Sequence, residues 1–357
     1  MRSNKRYNIF LFLSTLTRNL VNIFSLVLLY KKGYTINNIL FFLFIMYLTG
    51  ILVNYFSLKI YYKLVLIISS IVYGFCFIYL SFLNKSLIFL SILAILLAIG
   101  NYSYHTVRHF LALTMFKKGK QDTSVFIVIN YLGIIEASLV GMYLINRFSF
   151  GITSIIIFIL SIISIIPVIR QPRINIDSCD FNKNVSISKT KIIFNILEQF
   201  KVIFMELQPL FLFIYIDNSI YYVGLFNIIT NISSLIVMYF ISKSINYKYF
   251  KYYALLLGIV LFFKLNIRSG ILLLFIAFLE GIFVKVYENV SLSILYDYQD
   301  NYVSKYLLFE ELIFFGSKVV IVLFYLLFNF DIYSIMYINI IGIIISGLFI
   351  NDKVKKY

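Results

Sequence analysis

The sequence predicts an all-α polytopic membrane protein with twelve transmembrane helices arranged as two six-helix pseudo-repeats. Three observations carry that prediction. Of 357 residues, 62% are hydrophobic and only 13% are charged, whereas about a quarter of a soluble domain is charged. Mean hydropathy is +0.95. The apolar residues fall into long runs between short charged or Asn/Gly breaks, and one polar segment, RQPRINIDSCDFNKNVSISKTK, divides the runs six and six. A span needs about 20 apolar residues. Lipid offers no partner to a bare backbone, so such runs must be helices.

In order, the runs cover residues 9–30, 37–56, 64–82, 87–115, 125–145, 151–169, 192–216, 221–241, 252–265, 271–296, 306–328 and 332–350. The ninth is the shortest, cut by Lys264 and Asn266. The domain reading is a six-helix bundle over 1–170, a cytoplasmic linker over 171–191, and a second bundle over 192–357.

Loop charge tests the count independently, because Lys and Arg crowd on the cytoplasmic side. With the N-terminus inside, twenty loop cations fall inside and five outside, the five being Lys31, Lys32, Lys85, Arg147 and Arg268. Both termini are therefore expected in the cytoplasm. The same distribution accounts for most of the formal charge of +16, so nucleic acid need not be invoked as a partner. The lipid bilayer is the partner that the composition demands.

The first run is read as a retained helix rather than a cleaved signal, since Arg18, Asn19 and Asn22 interrupt it and no small-residue cleavage site follows. Cys76 falls in the third run and Cys179 in the linker. Two such thiols imply neither a disulfide framework nor a metal site, and no cofactor is expected. Gly-x-Ser-x-Gly, His-Glu-x-x-His and phosphate-loop patterns are absent, which argues against an enzyme.

The halves resemble each other. YFSLKIYYKLVLI from Tyr55 parallels YFISKSINYKYFKYYALL from Tyr239, and AIGNYSYHTVRHFLALTMF around Gly100 parallels FLEGIFVKVYENVSLSILY around Gly281. Two parallel repeats joined by a cytoplasmic linker form a transporter layout, with a site near the midplane. The turn after the second run, NYFSLKIYYKLVL, keeps Lys59 and Lys63 where the major facilitator superfamily has a Gly-rich Asp-Arg-x-Gly-Arg-Lys turn, and lacks the Asp and the glycines. YLGIIEASLVGMYLI in the fifth run has Ala137-Ser138 in place of that family's Gly-Pro, and YLLFEELIFFGSKVV in the eleventh carries Glu310, Glu311 and Gly316. On these segments the chain resembles the major facilitator superfamily over nearly its whole length.

Charges inside spans carry the functional expectation, because one near the bilayer centre costs at least about 2.5 kcal/mol and must face a cavity or a partner. Arg18, Glu136, Glu206, Glu280, Lys285 and Lys318 fall near mid-depth. The resemblance implies that the first, fourth, seventh and tenth helices line a central cavity, so that Arg18, Glu206, Glu280 and Lys285 see substrate while Glu136 and Lys318 flank it.

Helical spacing adds detail. Thr15, Arg18, Asn19 and Asn22 form one polar stripe, and Asn101, Tyr104, His105, Arg108 and His109 another. Imidazole titrates near neutrality, so His105 or His109 could serve proton coupling; hydrogen bonding between helices is the alternative. Glu198–Lys201 and Lys285–Glu288 are spaced as plain ion pairs. Glu206 precedes Gln208-Pro209, which marks a bend. It could carry a proton or pair with Arg18 or Lys285. Glu311 and Lys318 share a helical face, and a structural role is preferred for Glu310 and Glu311.

The residues expected along a substrate and ion pathway are thus Arg18, Asn22, His105, Arg108, Glu136, Glu206, Glu280 and Lys285. Cations beside acids suggest a zwitterionic or amphipathic substrate, either a small molecule or a peptide. The resemblance implies a monomeric secondary transporter of the cell membrane working by alternating access, with export coupled to proton entry as the expected mode. A divergent relative that no longer transports, and instead serves self-protection (immunity) or partner binding, is the alternative that the altered turn keeps open.

Overall fold

The computed structural model describes residues 2–57, 59–82, 84–115, 120–169, 189–216, 218–240, 249–295 and 303–351; side chains are described except at 2–6, 109–127, 292–307 and 350–351. Twelve helices follow one another: α1 (Arg2–Lys31), α2 (Ile36–Ser57), α3 (Tyr62–Phe82), α4 (Leu87–Met115), α5 (Lys120–Arg147), α6 (Phe150–Ile169), α7 (Lys189–Tyr215), α8 (Ile220–Phe240), α9 (Phe250–Asn266), α10 (Gly270–Leu295), α11 (Val303–Leu327) and α12 (Ile332–Asn351). No strand occurs among the described residues. Each of the twelve apolar runs is a helix, including the ninth. Linker positions 170–188, Cys179 among them, and the side chain of His109 lie outside the described residues.

Nine helices among the described residues are long and apolar enough to cross a membrane: α1 to α6, α8, α10 and α12. The other three fall short for visible reasons. α9 has 17 residues, α7 carries Glu198, Lys201 and Glu206, and α11 carries Glu310, Glu311 and Lys318. Charges in a span need partners. Those partners are what the packing of the two units provides.

The chain divides into two compact units, Met1–Val185 with Asn301–Val322, and Ser186–Asp300 with Leu323–Tyr357. In the first unit α1 packs on α5 and α6, α3 on α4 and α6, and α2 on α4. Tyr7, Phe10, Tyr62, Val65, Leu66, Tyr104, Val107 and Val168 form a buried cluster there. Residues 301–322, which chain order assigns to the second half, group with this unit. Phe315 meets Tyr102 with ring centres 4.4 Å apart, and the missing side chain of Gly50 makes room for both rings.

In the second unit α8 packs on α10, α9 on α10 and α12, and α7 on α12. Adding six to the helix numbers α2·α4, α3·α4, α3·α6 and α1·α6 reproduces these pairings, so the duplication read from sequence is a duplication of packing. Gly100 of α4 and Gly281 of α10 are both points of close approach. A Cβ on Gly100 would lie 2.9 Å from the Cβ of Tyr73, and one on Gly281 would fall on the Ser233 hydroxyl and the Thr230 carbonyl.

Two turns share one backbone geometry. At the end of α1, Gly33 has φ +87 and Tyr34 N–H donates back to the Leu29 carbonyl at 3.3 Å. At the end of α11, Asn329 has φ 49 and Phe330 N–H donates to Tyr325, also at 3.3 Å. Left-handed backbone at this position suits Gly, and Asn tolerates it. The following helices start on side-chain caps, with Thr35 Oγ1 accepting from Asn38 N–H at 3.3 Å and Asp331 Oδ1 accepting from Ser334 N–H at 3.1 Å.

Candidate functional site

In the first unit the polar stripe of α1 reaches α3 and α4 through Arg18 and α5 through Thr15. Arg18 is buried. Its guanidinium donates to the Gly100 carbonyl and to Ser69 Oγ at 3.0 Å, and lies 3.9 Å from the centre of the Tyr104 ring and 4.8 Å from that of Tyr73. Tyr73 O–H in turn donates to the Arg18 carbonyl at 2.8 Å and to Asn22 Oδ1 at 2.6 Å. Asn22 is exposed. One cation thus ties three helices together, and its neighbour one turn on reaches the surface.

A second polar group stands beside it. Arg108, half-buried, donates to Asn130 Oδ1 at 3.1 Å, and Thr15 Oγ1 donates to the same oxygen at 3.1 Å. Its guanidinium carbon is 5.7 Å from the centre of Tyr104. Tyr104 shares a 2.9 Å hydrogen bond with Ser14. His105 is half-buried, with its ring 5.5 Å from that of Tyr104. Both predicted stripes therefore meet around a single tyrosine.

Glu136 lies elsewhere. It is exposed, on the face of α5 that also exposes Leu132, Leu139 and Tyr143. Glu311 on α11 accepts from Asn54 Nδ2 at 3.3 Å, and Asn54 also accepts from Thr106. Lys318 lies against aromatic rings, 4.5 Å from the centre of Phe314 and 4.7 Å from that of Tyr47.

The second unit handles charge by pairing acids with bases. Lys201 Nζ lies 3.7 Å from Glu198 and 3.3 Å from Glu288, and Lys285 Nζ lies 3.8 Å from Glu288. Glu198 also accepts from Ser291. The two ion pairs expected from spacing are thus joined into one cluster across α7 and α10.

Glu280, expected to face substrate, is enclosed instead: it meets Lys264 of α9 at 2.8 Å with neither side chain exposed. Phe226 and Phe204 cover the ammonium, with ring centres 4.2 and 5.5 Å away. In the sequence Lys264 marks only the shortness of the ninth run, although a charge there calls for an acid on a neighbouring helix. Glu206 is half-buried, three residues before Pro209, which lies inside the continuous α7. Proline removes the donor for the Met205 carbonyl, and Gln208 Oε1 beside it is buried without a hydrogen-bond partner. Ser69, Tyr73 and Asn130 gave no signal in sequence, since Ser, Tyr and Asn are too frequent in the spans to stand out. No group of His, Cys, Asp and Glu among the described residues could hold a metal ion.

Twelve helices in two packing repeats, nine of them apolar spans among the described residues, define a multi-pass, all-helical membrane protein of duplicated architecture. Among solved structures the chain is similar to a crystal structure of the nucleoside transporter NupG, with 12% identity, a TM-score of 0.72, and coverage of 97% of this chain and 98% of that one. The likeness is one of fold. No protein-family model and no curated protein matches the sequence.

Proposed function

We propose that the chain is a secondary transporter of the cell membrane that moves a small molecule or peptide by alternating access of its two helical repeats, with both termini cytoplasmic. The observation that carries this reading is the end-to-end likeness to a transporter, over 97% of the chain. A buried cation inside a span supports it, because scaffolding needs no Arg18 at mid-depth. Export coupled to proton entry is the expected mode, with Glu206 as the proton carrier and Pro209 as the bend that lets α7 move. A carboxyl that takes a proton on one side of the membrane and releases it on the other supplies the coupling.

The test is a paired distribution assay. Nucleosides, short peptides and common metabolites are measured inside and outside cells expressing the wild type, Glu206→Gln or an empty vector, with and without an imposed pH gradient. At least one compound should shift its distribution with the wild type only, and the sign of the shift gives direction. If wild type and vector agree across the panel while the protein is present in the membrane, transport gives way to a partner-binding or self-protection role.

A further inference from the structure

Buried cations differ in how they are matched. In the second unit, Lys201, Lys264 and Lys285 each face a carboxylate within 3.8 Å. In the first, Arg18 and Arg108 form no ion pair among the described residues. Their partners are the Gly100 carbonyl, Ser69, Asn130 and the faces of Tyr73 and Tyr104. Arg18 Nε is buried with no acceptor at all.

Neutral partners do not balance two such charges in a membrane. A ring face contributes about 0.5–2 kcal/mol, against a cost of several kcal/mol for each ion withdrawn from water. The deficit is concentrated at one place, because both guanidinium carbons stand near the same ring, 3.9 and 5.7 Å from the centre of Tyr104.

We propose that Arg18, Tyr104 and Arg108 form a recognition site for an oxyanion, a carboxylate or phosphate group carried by the transported solute, which supplies the missing counter-charge. Guanidinium groups suit this task, since their planar donors match both anions with paired hydrogen bonds. Arg18 is held in place by Gly100 and Ser69, and provides fixed charge. Arg108 is half-buried and is the member that a solute reaches. The inference rests on the transporter reading and narrows its substrate. A zwitterion would also need an acid for its cation; Glu280 is already matched by Lys264, Glu288 by Lys201 and Lys285, and the proposed function gives Glu206 to the proton.

The test compares uridine with uridine 5′-monophosphate, with inorganic phosphate and acetate as minimal probes, on the purified full chain. Thermal unfolding is followed in lipid-free detergent and again in phosphatidylcholine nanodiscs, so that a lipid phosphate is told apart from a soluble one. The monophosphate and at least one minimal anion should raise the unfolding midpoint in detergent while uridine does not. Arg108→Gln, chosen because Arg18→Gln removes contacts that hold three helices, should raise the half-saturating monophosphate concentration by about tenfold or more. Arg108→Lys should retain part of the effect. Equal shifts from uridine and its monophosphate, no shift from any anion, an anion effect that survives Arg108→Gln, or an effect confined to nanodiscs would each overturn the site.

Proteoliposome uptake separates this result from the transporter reading. Arg108-dependent binding without uptake keeps the anion site and sinks transport. Uptake of uncharged solutes with no anion effect does the reverse.

Discussion

Lys264 on α9 and Glu280 on α10 meet at 2.8 Å with neither side chain exposed, and this pair explains how a helix of 17 residues can carry a lysine inside the second unit. Desolvating two ions is costly, and their attraction offsets that cost only while both are present. Glu280→Gln should therefore destabilise the protein by about 3–5 kcal/mol, because it strands a buried ammonium. The double variant Lys264→Met with Glu280→Leu should recover most of the loss. Thermal unfolding of the three variants in one detergent checks it, and additive losses in the double variant would sink the pairing argument.

A second prediction concerns close helix approach. Gly281 has no room for a Cβ, since it would fall on the Ser233 hydroxyl and on the Thr230 backbone carbonyl, which cannot rotate away. Ser234 Oγ also donates to the Gly281 carbonyl at 2.9 Å, so any parting of α8 and α10 loses that bond as well. Gly281→Ala should cost about 1–3 kcal/mol or more. Gly316, also inside a helix, has nothing within 4 Å of its Cβ position. Gly316→Ala should be neutral or stabilising, by up to about 1 kcal/mol, through helix propensity alone. Unfolding midpoints that move the same way in both variants would contradict the close approach.

Much of this fold was readable in the sequence, because a bilayer imposes a coarse rule that hydropathy obeys: long apolar runs are helices. The duplication was readable from two segment pairs, and its packing counterpart appears in the matching helix pairings of the two units. What pattern could not supply was which mid-span charges are matched. Glu280 and Arg18 look alike along the chain, each an ion set at mid-depth in an apolar run, yet among the described residues one has Lys264 across a helix boundary and the other has carbonyl, hydroxyl and ring partners. That distinction depends on helix rotation and neighbour choice, which short-range periodicity does not encode. Glu136 makes the same point from the other side, since counting placed it at mid-depth and said nothing of the exposed face it occupies.

A third prediction follows from the hub at Tyr104. Its hydroxyl shares a 2.9 Å hydrogen bond with buried Ser14, while its ring faces Arg18. Tyr104→Phe keeps the ring and removes the hydroxyl; Ser14 still donates to the Phe10 carbonyl at 2.7 Å, so the change should cost about 0.5–1.5 kcal/mol. Tyr104→Leu removes the ring as well and should cost more, by an added increment of about 0.5–2 kcal/mol for the lost cation–π contact. Equal losses in the two variants, measured by thermal unfolding, would show that the ring face does not stabilise Arg18.

The last prediction uses two turns of like geometry against each other. Gly33 and Asn329 both adopt left-handed backbone, with φ +87 and φ 49, and both sit where the chain folds back from one helix into the next. Asn pays a modest steric penalty in this region that Gly does not, and any branched residue pays more. Asn329→Gly should thus be neutral or stabilising by a few tenths of a kcal/mol, whereas Gly33→Val should destabilise by about 1–2 kcal/mol. The Gly33 substitution should act through backbone conformation rather than crowding, because the nearest atom to its Cβ position is the mobile Lys85 Nζ at 3.8 Å. Removing that amine with Lys85→Ala should therefore fail to rescue Gly33→Val. Rescue would mean that the cost was steric contact and that the turn tolerates a side chain at φ +87.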